Sequence, residues 1–151
     1  MHWVCVKVAF TRGSYKYSLL CTSNKNGILD YSILYGAVNE STFNQYIVDK
    51  MIPILNPYPA PNSIIILDNC RFHHNQIFKD LMDQLNVIII YLPRYDPILN
   101  PTEYVFRDVK SIEIKKNIYG ELAGMISLAE SVESVRNKDY SKIMRQIGYL
   151  K

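Results

Sequence analysis

A chain of 151 residues, 48% hydrophobic and 21% charged, has the length of one domain and the composition of an ordinary globule, which excludes a disordered polyampholyte. Its longest apolar stretches, Ile64 to Leu67 and Val87 to Leu92, are far too short to cross a bilayer, and Met1-His2-Trp3-Val4 has neither the basic start nor the apolar run of a secretory signal, so no membrane partner is expected. The net charge of +3 is unevenly placed: Lys/Arg and Asp/Glu balance eight to eight up to Glu103, whereas Tyr104 to Lys151 holds nine against six.

The first 38 residues read as strands. Val4, Val6 and Val8 alternate with Cys5, Lys7 and Ala9, and Tyr15 to Thr22 is aromatic and β-branched. A turn cluster at Ser23-Asn24-Lys25-Asn26-Gly27 leads into Ile28 to Tyr35, which predicts an antiparallel hairpin. The period then changes. Phe43, Ile47, Met51 and Leu55 recur at four-residue steps, the buried face of a helix with Asn39 or Ser41 as N-cap, and Pro53 marks its last turn. Pro53, Pro57, Pro59 and Pro61 form a stiff connector into Ile64-Ile65-Ile66-Leu67, a strand expected to be buried on both faces. Phe78, Leu81, Met82 and Leu85 predict a helix, and Val87 to Tyr91 a second buried strand, so that strand, helix and strand make a parallel crossover. After the prolines at 93, 97 and 101, a further helix starts with Asn100 as N-cap, Pro101 at its first position and Glu103 at its third. Leu122 to Val135 and Tyr140 to Ile147 are expected to be helical.

Ligands of open α/β sheets sit outside the carboxyl ends of the strands. Asp68 immediately follows one such strand, and Glu103 opens the helix that returns from the next. Two carboxylates at one edge suit Mg2+ or Mn2+, hard cations that prefer oxygen donors. Simpler roles exist for each: Asp68 could cap a turn, and Glu103 could close a capping box with Asn100 or pair with Arg107. The basic residues Arg107, Lys110, Lys115 and Lys116 suit a polyanion, or equally a solvated helix face. Cys5, Cys21 and Cys70 lack metal-site spacing and read as reduced thiols of an intracellular protein.

The motifs carry more information than the residues singly. Ser63-Ile-Ile-Ile-Leu-Asp68-Asn69-Cys-Arg-Phe-His73, followed by Leu92-Pro-Arg-Tyr-Asp-Pro97-Ile-Leu-Asn100-Pro101-Thr-Glu103, resembles the paired hallmark of mariner-type DDE transposases, a DNAxxH block and an LPxYSPxLNPxE block. The 34 residues between Asp68 and Glu103 match the branch of the family whose third acid is glutamate, and Lys110 matches its helix-ending lysine. The resemblance implies a ribonuclease-H-like α/β fold: a mixed sheet with antiparallel hairpin strands followed by parallel strands and flanking helices. It further implies two Mg2+ or Mn2+ ions held by three acids for DNA nicking and strand transfer, with Asp68 second and Glu103 third. Asn69, His73, Asn100 and Pro101 become supporting motif residues, with His73 either orienting a neighbouring group or simply packing. DNA is the implied partner, a homodimer and a nuclear location the implied setting.

The chain departs from the pattern at the first acid. The family places it on the first core strand, upstream of the segment matching Trp3 to Arg12, and no Asp or Glu occurs here before Asp30, which the hairpin carries away. Nor does a helix-turn-helix segment precede the core. Residues 1–118 are therefore expected to form a DDE core lacking its first acidic strand, shortened at the N-terminus, and 119–151 a helical extension of the same domain. Arg94 and Asp96 replace family residues, and Asp96 reads as a turn cap rather than a ligand. The leading expectation is a transposase catalytic-domain fragment, catalytically incomplete, with weakened cation binding. The alternative is a DNA-binding or partner-binding module derived from one.

Overall fold

The computed structural model describes residues 2–12, 15–94, 97–116, 118 and 120–150, with backbone alone for 2–12, 15 and 97. Five strands form one sheet in the order β3-β2-β1-β4-β5. β1 (His2–Arg12), β2 (Tyr15–Asn24) and β3 (Gly27–Tyr35) are an antiparallel meander, while β4 (Ile64–Leu67) and β5 (Ile88–Tyr91) run parallel to β1. The β2–β3 turn is tight at Gly27, whose φ of +119° and contact with the Arg136 carbonyl oxygen leave no room for a Cβ. Its neighbour Ile28 donates its N–H to that same oxygen at 2.7 Å.

Strand alternation divides the core between the two faces. On β2, Leu20 packs with Ile65 and Leu67 of β4 under α1 (Glu40–Tyr46) and α2 (Gln76–Gln84). Tyr17, Leu19 and Cys21 point to the other face, beneath α3 (Thr102–Glu113) and α4 (Glu121–Val135). Ile66 of β4 meets Leu92 and Met144 of α5 (Ser141–Gln146). The result is a three-layer sandwich of helices, sheet and helices. Cys21, deep within it, is an inert thiol pushed up to about 12 by burial.

The four-residue recurrence of Phe43, Ile47 and Met51 has a structural cause. α1, capped reciprocally by Asn39 and Thr42, widens into a π-helical turn over Ile47–Met51 and tightens into a 3-10 turn over Ile52–Ile54 containing Pro53. The wider turn keeps a repeat longer than 3.6 residues on one face, and all three side chains are fully buried. One expectation is corrected. β5 is not buried on both faces: it is an edge strand, with Ile88 and Ile90 39% and 42% exposed, while Ile89 and Tyr91 pack inward.

Candidate active site

Both acidic candidates lie where the strands end. β4 stops at Leu67, which is level with Tyr91 on β5, and Asp68 follows at once. Its Oδ1 accepts the Cys70 N–H at 3.1 Å, an Asx turn that ends the strand, and lies 2.9 Å from Nδ1 of His73. That nitrogen is also 3.0 Å from the Asp68 carbonyl oxygen. The His73 ring is fully buried and packs against both Phe43 and Phe72, 4.8 Å from each ring centre, in a three-ring cluster. The adjacent His74 is exposed but ordered: it stacks on Tyr91 at 4.2 Å and its Nε2 lies 2.6 Å from Oδ1 of Asn69. Burial, then the positive charges of Lys79 and Arg94, hold the His74 imidazole below its ordinary value.

Glu103 occupies the first turn of α3. Asn100 anchors that turn from a nearly buried position: its Oδ1 accepts the Thr102 N–H at 3.2 Å and the Thr102 hydroxyl, and its carbonyl accepts the Glu103 N–H at 3.1 Å. The regular helix starts at Thr102, one residue later than the sequence suggests. Burial pushes the Glu103 carboxyl above the usual glutamate range, Lys110 opposes this, and the negative charge of Asp68 adds to it. The two carboxyl groups thus share one electrostatic neighbourhood at the sheet edge. Both are oxygen donors that repel each other, a pair to which a divalent cation would add the missing positive charge, so the donor set fits Mg2+ or Mn2+.

Among the described residues a third acid does not join them. In the β1–β4 register His2 is opposite Ile65 and Trp3 opposite Ile66, so the strand beside Asp68 is drawn from a segment, residues 2–12, without Asp or Glu. Asp30 sits on the far edge strand β3, ion-paired with Lys50 at 3.5 Å. Among the described residues no group of three or more His, Cys, Asp or Glu could hold a metal ion. Asp96 lies outside the described residues.

The four basic candidates separate. Arg107, 64% exposed, lies over the Tyr104 ring at 5.1 Å, and with Glu103, Phe106, Lys110, Ser111 and Ile114 it lines an open groove of about 410 Å³ along α3. Lys115 is exposed. Lys116 is turned into the fold, donating to the Ser127 carbonyl at 3.1 Å and pairing with Glu130 at 3.2 Å. Sequence reasoning missed Asn75, which caps α2 by accepting the Phe78 N–H at 2.8 Å; an asparagine three residues before a buried aromatic was the available signal. Nor does the sequence mark His74, because stacking on a tyrosine of a distant strand leaves no local signal.

The sequence matches the family model described as DDE superfamily endonuclease over residues 6–123. The chain belongs to this family. Among solved structures it is similar to the catalytic domain of Mos1 mariner transposase, with 16% identity, a TM-score of 0.75, and coverage of 96% of this chain and 76% of that one. The same domain solved with Raltegravir and Mg gives 17% identity and 0.75, covering 77% of that chain. The Mos1 strand transfer complex gives 14% and 0.71, covering 97% of this chain and 50% of that one. The fold is therefore the ribonuclease-H-like fold of the Mos1 catalytic domain, and the chain spans half the length of the Mos1 protein in that complex. No curated protein matches the sequence at a significant level. No helix among the described residues is long and apolar enough to cross a membrane.

Proposed function

We propose that this chain is a DDE transposase catalytic core in which Asp68 and Glu103 bind a divalent cation, Mg2+ or Mn2+, at a DNA phosphodiester. The observation that carries the reading is that Asp68 directly follows β4 and its charge adds to the upward shift of the Glu103 carboxyl at the start of α3, on a domain of DDE family and fold. When bound, the cation would polarise a phosphodiester oxygen and favour ionisation of an attacking water. The chain's own groups supply the rest. Asp68 is held by the Cys70 N–H and His73, Glu103 by the Asn100-anchored turn, and Arg107 and Lys110 line the groove beside Glu103 where a DNA backbone fits. Because the strand beside Asp68 carries no acid, two carboxylates must do the work of three, and catalysis by this chain is weak or absent. Mos1 structures include a paired-end complex with the left transposon end, and by analogy we place DNA, a homodimer and a nuclear location in the same proposal.

The absent acid also favours a second reading, a DNA-binding module that keeps the fold without turnover. Nicking of supercoiled plasmid with Mg2+ or Mn2+ separates the readings. The proposal expects residual, cation-dependent nicking that Asp68→Asn abolishes; no nicking together with retained DNA binding favours the module. Robust turnover abolished by Asp68→Asn would show a complete site and refute the assignment of a missing first acid.

A further inference from the structure

His73 is buried at a cost its surroundings do not explain. Its Nε2 is sequestered from solvent with no hydrogen-bond partner, and a phenylalanine packed against Phe43 and Phe72 would leave no ring nitrogen unpaired. The compensation lies at the other nitrogen. Nδ1 is 2.9 Å from Oδ1 and 3.0 Å from the carbonyl oxygen of Asp68. A carbonyl oxygen and an ionised carboxylate can only accept, so Nδ1 carries the proton; it donates to the carbonyl oxygen and holds its N–H against Oδ1. The imidazole cannot swing away, since it is fully buried against Phe43 and Phe72 and the Tyr91 hydroxyl donates to the His73 carbonyl at 2.8 Å. Oδ1 of Asp68 also accepts the Cys70 N–H at 3.1 Å. That oxygen therefore faces two N–H groups, one of them hydrogen-bonded to it, whereas no hydrogen bond reaches Oδ2 among the described residues.

We propose that His73 is a positioning residue for the cation site: its buried Nδ1–H, together with the Cys70 N–H, occupies Oδ1 of Asp68, so that Asp68 offers a cation Oδ2 alone. Asp68 then serves as a one-oxygen ligand in a fixed rotamer, leaving coordination positions open for Glu103, phosphate oxygens and water. A carboxylate free to rotate would spend part of its time gripping the ion with both oxygens or turned away from it. The inference rests on the reading of Asp68 and Glu103 as a cation-binding pair. It adds that the histidine acts through hydrogen-bond geometry and not through bulk.

Three variants of the full chain test it. His73→Phe keeps the aromatic volume and removes the donor; His73→Asn can place an amide N–H near the position of Nδ1; His73→Gln places its amide farther out, near Nε2. Mn2+ binding is followed by the electron-paramagnetic signal of the free ion, with thermal midpoints as the measure of folding. Loss of a partner that orients a ligand weakens metal binding roughly 10–100-fold. His73→Phe is expected to raise the Mn2+ dissociation constant by that factor while its melting midpoint stays near wild type. His73→Asn should recover most of the affinity, and His73→Gln should not. Equal affinity for wild type and His73→Phe overturns the proposal, as do equal losses in Asn and Gln. Should His73→Phe fail to fold, the Asn–Gln comparison decides alone. Equal Mn2+ binding by wild type and Asp68→Asn would instead refute the cation-pair reading. In that event the ring 15N spectrum still judges the contact: a protonated Nδ1 that responds to Asp68→Asn supports it, and a protonated Nε2 overturns it.

Discussion

Replacing Asn100 by alanine should damage both the fold and the site, and the structure sets the size of the effect. The change removes the side-chain acceptor of the Thr102 N–H at the start of α3, a loss comparable to that of a helix cap, about 0.5–2 kcal/mol. It also strips the acceptor from the Thr102 hydroxyl, which belongs to a fully buried residue and would be left unpaired at about 1–3 kcal/mol. The two losses overlap, because the cap and the hydroxyl use the same Oδ1, so a total of about 2–4 kcal/mol is expected. For a chain of this size that corresponds to a melting midpoint lower by roughly 5–15 °C. Urea unfolding measures the free energy directly. Thr102→Val added to Asn100→Ala should return part of the loss, since it removes the stranded hydroxyl, although the same Thr102→Val change alone destabilises. A cost below about 0.5 kcal/mol for Asn100→Ala, or simple additivity of the two changes, would refute the view that this buried asparagine anchors the helix carrying Glu103.

Glu103 makes a pH-dependent prediction. Its carboxyl is raised in the folded chain, so the folded state holds the proton more tightly than the unfolded one. That contribution is present below the ordinary glutamate value and is lost as pH rises through the folded value. Glu103→Gln should therefore be more stable than wild type at neutral pH without divalent cation, by no more than about 1 kcal/mol for so solvated a pair, with the gap closing as pH falls. A gap independent of pH would contradict the raised carboxyl. Gly124→Ala, at the α4 surface facing Tyr17, would bring a Cβ to 2.6 Å from Cζ and 2.9 Å from Cε2 of that buried ring. It should cost about 1–3 kcal/mol despite the helix preference for alanine, and a stabilised variant in urea unfolding would refute the contact. Arg107→Ala with Lys110→Ala should lower the slope of log affinity for DNA against log salt by roughly 2, whereas Lys116→Ala should leave it nearly unchanged; equal effects would contradict the separation of these residues.

Much of this architecture was legible because the signals were local. The Tyr15 to Tyr35 hairpin, the Phe43 helix, the apolar 64–67 strand and the Asn100-Pro101 helix start each carry their own periodicity or cap. What the sequence hid were relations between distant segments. The isoleucines of β5 look as buried as those of β4, because exposure depends on which strand is at the sheet edge. Lys116 reads like the other bases of its run until α4 brings Glu130 and Ser127 against it. His73 could be read as core or as partner to a functional group; the structure buries it in the core and sets its Nδ1 beside Asp68, which no spacing rule foretells. The acids Asp68 and Glu103 were visible through their motifs, whereas their electrostatic pairing follows only from the loop and cap that bring α3 back to the end of β4.

The central claim is that Asp68 and Glu103 hold a cation together, and crystals of the chain soaked in Mn2+ test it most directly through anomalous scattering. A peak roughly 2 Å from Oδ2 of Asp68 and from a Glu103 carboxylate oxygen, absent in Asp68→Asn crystals, is the predicted result. No peak at this edge at millimolar Mn2+, or a peak that persists in Asp68→Asn, would contradict the account.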